Sequence, residues 1–156
     1  MSSIPRELVA EATQLPPHAL PDGDLPMARF AERHAEFVAA AARDEGAGHA
    51  EFWTWLVMEE LVRERPAQAL EAIRAVLALL TTPEEVASLA AGPLEDLLTH
   101  HGVVALDAME ADATPRLRYA LTGVWKGDLP KDVWHRVEAL RAGSPELDEG
   151  APLPAA

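Results

Sequence analysis

PAQALEAIRAVLALLTTPEEVASLAAGPLEDLL, residues 66–98, holds three prolines, and each opens an apolar pattern of period three to four. After Pro66 the pattern is Ala69, Leu70, Ile73, Val76, Leu77 and Leu80, the spacing of one helix face. Proline suits the first helical turn, where its missing N–H is not needed and its fixed φ fits. Each proline therefore marks a start. Thr82-Pro83-Glu84-Glu85 adds a capping box, in which a threonine and a glutamate satisfy two backbone amides between them. Gly92 then ends one helix and Pro93 begins the next.

The same punctuation continues outward at Pro115 and Pro130, so residues 51–141 read as a run of short antiparallel helices. The fold class expected is all-α, as stacked antiparallel short helices in a HEAT-like array or an irregular helical bundle. Composition agrees. Apolar residues make up 49% of the chain but aromatics only 5%, so alanine and leucine, strong helix formers, supply most of the core.

Upstream, a helix over 25–43 carries Met27, Phe30, His34, Phe37, Val38 and Ala41 on one stripe, with Asp24 as its expected cap. The segment Glu51 to Arg65 is apolar nearly all round, through Phe52, Trp53, Trp55, Leu56, Val57, Met58, Leu61 and Val62. Such a helix is expected at the centre of the fold. Residues 1–24 read as an extended arm with a short helix at 5–14, and 14–26 as a connector holding four prolines. A single helical domain spans 25–141, and a disordered acidic tail occupies 142–156.

Several classes of function are disfavoured. The chain has no cysteine, hence no disulfide, thiolate nucleophile or Cys-based metal site. It has no apolar run long enough to span a bilayer and no signal-like N-terminus, so a cytoplasmic protein without membrane contact is expected. Net charge is −13, concentrated in residues 50–112, where 12 acidic residues face 3 basic ones. Phosphate backbones are repelled by such a surface, so no nucleic-acid partner is expected. Nothing resembles a phosphate loop, a dinucleotide fingerprint or a Gly-x-Ser-x-Gly elbow, and no cofactor is expected.

Residues 91–98, AGPLEDLL, then His101-Gly102, Leu117-Arg118-Tyr119-Ala120-Leu121, Gly123-Val124-Trp125 and Asp132-Val133-Trp134 form a recognisable set. Together they resemble a bacterial family of small α-helical domains of unknown function, over about residues 50–141. The resemblance implies an all-α fold and carries no reaction or ligand with it.

Candidate functional residues follow from residue type and spacing. Glu95 and Asp96 sit in a first helical turn, where acids favour the helix dipole, or else face a groove and recognise a cation. Asp96 and His100 are four apart, a spacing able to ligate a metal with help from Glu59 or Glu60. Either glutamate beside a tryptophan could act as an acid or base. The commoner arrangement pairs it with an arginine, here Arg63 or Arg118. Trp125 and Trp134 pack in the core by default and, if exposed, become hot spots with Arg136 beside them. The expected function is a non-enzymatic acidic interaction module for a basic protein partner, in the manner of an immunity or antitoxin protein. The alternative is a small metal-dependent hydrolase using Glu59, Glu60, Asp96 and His100.

Overall fold

The computed structural model describes residues 2–147 and 152–156. It is an all-α bundle with one minimal antiparallel pair, β1 (Ser3–Ile4) against β2 (Leu25–Pro26). The helices are α1 (Arg6–Thr13), α2 (Met27–Ala42), α3 (Phe52–Glu64), α4 (Pro66–Leu77), α5 (Pro83–Leu89), α6 (Glu95–Ala111), α7 (Pro115–Leu121) and α8 (Lys131–Arg141).

The central helix is α4, not α3. Around α4 pack α2, α3, α5, α6 and α7, and Ala67 is its only exposed residue. Ala69, Leu70, Ala72, Ile73, Val76 and Leu77 are all buried. Small side chains at 69 and 72 let neighbouring backbones close in, which bulky aromatics would prevent. The expectation for α3 fails for that reason. Its aromatic bulk exceeds what the bundle can surround, and Phe52 and Trp55 are left exposed.

A second correction concerns Gly92-Pro93. These residues do not separate two helices but lie in a π turn, Ala90–Leu94, that runs α5 directly into α6. The amide of Glu95 reaches Ala90 O, five residues back. Widening the turn accommodates a proline ring inside a helix without the usual clash. The true break comes at His101 (φ −139°, ψ 40°), which kinks α6. Thr82 caps α5 as its sequence implies, accepting from Glu85 N, and Thr114 caps α7 in the same way, accepting from Leu117 N.

The N-terminal arm belongs to the core. Ile4 is fully buried, and Leu8 and Val9 nearly so. Ser2 donates from N and Oγ to Glu71, holding that carboxyl below its usual range, and Gln68 Nε2 donates to Ser3 O. Asp24 does not cap α2; its Oδ1 accepts from the Arg6 amide instead, because Pro26 turns the chain before the helix starts. Arg6 Nη2 also donates to Pro17 O and Leu20 O, pinning the proline-rich connector.

The expected disordered tail includes 148–151, which lie outside the described residues. Residues 152–156 are seated on α7: Arg116 N donates to Ala155 O and Arg116 Nε to Pro154 O, while Leu153 packs on the core.

Four helix C-termini are closed by side chains from other helices. Arg116 donates to Leu77 O and Leu80 O beyond α4, and Arg74 to Ala108 O and Asp112 O at the end of α6. Arg118 donates to Leu140 O on α8, and the His101 ring bonds Arg63 O on α3. These groups satisfy carbonyls that a helix leaves open at its last turn, and cations there are favoured by the dipole.

His34 is buried in the middle of α2, stacked on Phe30 and flanked by Phe37. Thr54 Oγ1 donates to Glu51 O, so it accepts from His34 Nδ1–H; Nε2 has no partner among the described residues. Burial holds the His34 pKa down to about 4.

Two expectations follow. A Cβ at Gly102 would lie 3.0 Å from Val133 Cγ1 and 3.2 Å from its Cγ2, so Gly102→Ala should cost about 1–2 kcal/mol in urea unfolding. Val133→Ala in that background should recover part of the loss. For His34, the unfolded chain binds the proton first on acidification, so its contribution is complete above about pH 6.5 and is lost as pH falls to about 4. The loss should reach about 3 kcal/mol, read as the difference in pH dependence between the wild type and His34→Leu.

Candidate functional site

The outer face of α3 carries the most distinctive exposed chemistry of the molecule. Phe52, Trp55, Leu56 and Glu59 fall at i, i+3, i+4 and i+7, one continuous helical stripe. Phe52 and Trp55 stack with ring centres 5.4 Å apart, and are 41% and 36% exposed. Beneath them Phe52 meets Phe37 edge-on, so the exposed pair is anchored on α2.

Following the stripe toward the C-terminus of α3, the surface sinks into a cleft of about 390 Å³ between α1 and α3. Glu11 lines it from α1, and Leu56, Glu59, Glu60, Arg63 and Glu64 from α3. Four carboxylates there face one guanidinium. Glu60 is ion-paired to Arg63, and Glu64 lies 3.7 Å from the same side chain. Glu59 has no such partner among the described residues. Its pKa is raised, first by burial and then by the nearby Asp96 carboxylate, with Arg63 pulling the other way. Asp96 is itself raised by burial, partly offset by His100. Burial disfavours ionisation of both carboxyls, and for Glu59 a neighbouring like charge adds to it.

The sequence candidates thus divide. Glu59, Glu60, Asp96 and His100 come from the neighbouring helices α3 and α6, and Glu59 and Asp96 feel one another. His100 Nδ1 sits 2.8 Å from Asp96 O, a contact within its own helix. Among the described residues no three His, Asp or Glu side chains gather as metal ligands. Glu95, pointing about a third of a turn away from Asp96, accepts from the Trp125 amide at 3.3 Å. Trp125 is 77% exposed, contrary to the default of core packing, because it lies in the open turn between α7 and α8. Trp134 is half-buried under Arg141, whose Cζ stands 4.6 Å from the ring centre. Arg136 is committed to Glu110 and Asp107 of α6, at 2.8 and 2.6 Å, and its own pKa is raised by them. It ties α8 to α6 rather than flanking an open tryptophan.

A central α3 would place Phe52 and Trp55 inside, whereas both face solvent. The spacing 52, 55, 56, 59 was a usable signal, but which side of an all-round apolar helix faces water is set by its neighbours.

Taken together this is an α-helical bundle bearing an aromatic and acidic outer face. A family model for a family of unknown function (DUF6869) matches residues 41–145, and the chain belongs to that family. Comparisons with characterised proteins and with solved structures found no match. No helix among the described residues is long and apolar enough to cross a membrane.

Ionised Glu59 is disfavoured in the fold, so its stability deficit is absent below the ordinary carboxylate pKa and develops as pH rises through the raised one. Glu59→Gln should therefore melt at the same or a higher temperature than wild type at pH 7, with the difference closing on acidification. Glu60→Gln, which removes the carboxylate hydrogen-bonded to Arg63, should not show this gain in thermal melts at pH 7 or on acidification.

Proposed function

We propose that this protein is a non-enzymatic interaction module whose α1/α3 face receives a basic, amphipathic segment of a protein partner. One observation carries the reading: an exposed aromatic pair, Phe52 and Trp55, runs along one helix face into a cleft where Glu11, Glu59, Glu60 and Glu64 outnumber Arg63. Apolar residues of a partner would cover the rings, which supply contact area at little entropic cost. Lysines or arginines one or two turns on would meet the carboxylates and favour the ionised form of Glu59, whose pKa is raised by burial and then by the Asp96 charge. The helix-in-groove mode provides this register of anchors. The overall charge of −13 would speed the encounter with a basic partner and repel acidic ones. An immunity- or antitoxin-like role belongs to this class. For the hydrolase alternative no specific observation speaks, since Glu60 is engaged by Arg63 and His100 by its own helix.

A synthetic amphipathic helix of leucine and lysine tests the proposal, with a leucine and glutamate helix as the control. Calorimetry should detect binding of the first alone, weakening as salt is raised. The triple variant Glu11→Gln, Glu59→Gln, Glu64→Gln should weaken it about tenfold, and Trp55→Ala by a similar factor. Equal binding of both peptides, or an unchanged affinity in the triple variant, would defeat the reading.

A further inference from the structure

Another cleft, sharing no residue with the acidic one, opens along a different flank of α1. It encloses about 500 Å³, within the range of small-molecule sites. Val9, Leu15, Leu20, Leu25 and Trp53 give it apolar walls, and Arg6, Arg29 and Arg33 also line it. Three of the four basic residues among the first 49 thus converge on one concavity of a strongly acidic protein.

These cations are not equally occupied. Arg33 lies 3.4 Å from Glu51 and 3.8 Å from Glu36. Glu51 also accepts from Trp53 Nε1 at 2.7 Å, so the indole N–H is satisfied and an apolar ring is left to the cleft. Arg6 Nη2 holds the connector carbonyls, yet its Nε–H is buried with no acceptor among the described residues. The Arg29 side chain, on the exposed side of α2, makes no hydrogen bond or ion pair among the described residues. It stands one turn before Arg33 on the same face of α2, an arrangement of like charges that is unfavourable by itself. Of the two acids in the lining, Asp24 accepts from the Arg6 amide and Asp22 lies 3.8 Å from Arg6. Neither is within ion-pairing distance of Arg29. An unmatched guanidinium at the rim of an apolar cavity is complementary to an anion that carries a hydrocarbon body.

We infer that this cleft binds a small amphipathic carboxylate, its acid group between Arg29 and Arg33 and its apolar portion against Trp53, Leu20 and Leu25. A neutral apolar molecule would fill the same walls but leave Arg29 unmatched, and a bare inorganic anion would leave the walls wet. A carboxylate also suits guanidinium geometry, accepting two parallel N–H donors. The inference is independent of the partner proposed for the acidic face.

Octanoate is the probe, with octanol as the uncharged control, followed by amide and indole NMR on the full chain. Octanoate at millimolar concentration should shift the Trp53 indole signal and the amides of residues 20–29, and bind about tenfold tighter than octanol. Arg29→Gln should reduce octanoate to the level of octanol while leaving the melting temperature unchanged, since the exposed Arg29 supports no contact in the fold. Three outcomes would overturn the inference: no shift at these positions, equal affinity for octanoate and octanol, or an Arg29→Gln variant that keeps the preference. Shifts confined to Phe52 and Trp55 would assign octanoate to the outer face of α3 and equally refute it.

Discussion

Everything in this fold is arranged around the near-complete burial of α4. A twelve-residue helix with one exposed position must find partners on almost its whole circumference, and α2, α3, α5, α6 and α7 supply them. Alanines at 69 and 72 make that crowding possible, because close approach of backbones needs small side chains at the crossing points. A buried helix also carries its polar ends into the interior. The carbonyls at Leu77 and Leu80 are met by Arg116, and the same side chain reaches Pro154 in the C-terminal segment. Removing that guanidinium would strand several acceptors at once.

The recurring device is an arginine or histidine from one helix closing the end of another. Arg74, Arg116, Arg118 and His101 each do so over at least 22 residues of sequence. In a chain of only 13 basic residues, several are thereby spent on backbone carbonyls, and Arg136 on binding α8 to α6. The acidic side chains are left in excess on the surface. With 26 acidic residues against 13 basic ones, this use of cations leaves fewer of them to balance the carboxylates of the exterior.

Helix starts were legible because their chemistry is local. Pro66, Pro83, Pro115 and the threonine caps at 82 and 114 act within one turn, and each stands where its sequence implies. Gly92-Pro93 misled for a related reason: the same two residues suit a helix boundary or a widened turn, and only packing on both sides selects the continuous path. The pairing of Glu60 with Arg63 is also local, three residues apart on one helix, and follows from their spacing. Less of the site could be read in advance. Trp125 is core material by default, but the turn holding it is open to solvent, and Arg6, Arg29 and Arg33 meet at one cleft only in the fold.

Composition and periodicity by themselves determined that this chain is helical, where most helices begin, and that its surface is acidic. Those properties depend on residues within a turn or two of each other, or on sums over the whole chain. Only the tertiary structure decided which helix lies at the centre, that the first residues belong to the core, and which face of α3 meets water. Such outcomes depend on how many neighbours can approach a given helix, a matter of side-chain volume between segments far apart in sequence. An apolar residue carries no mark of whether its partner will be another helix of the same chain or something from outside.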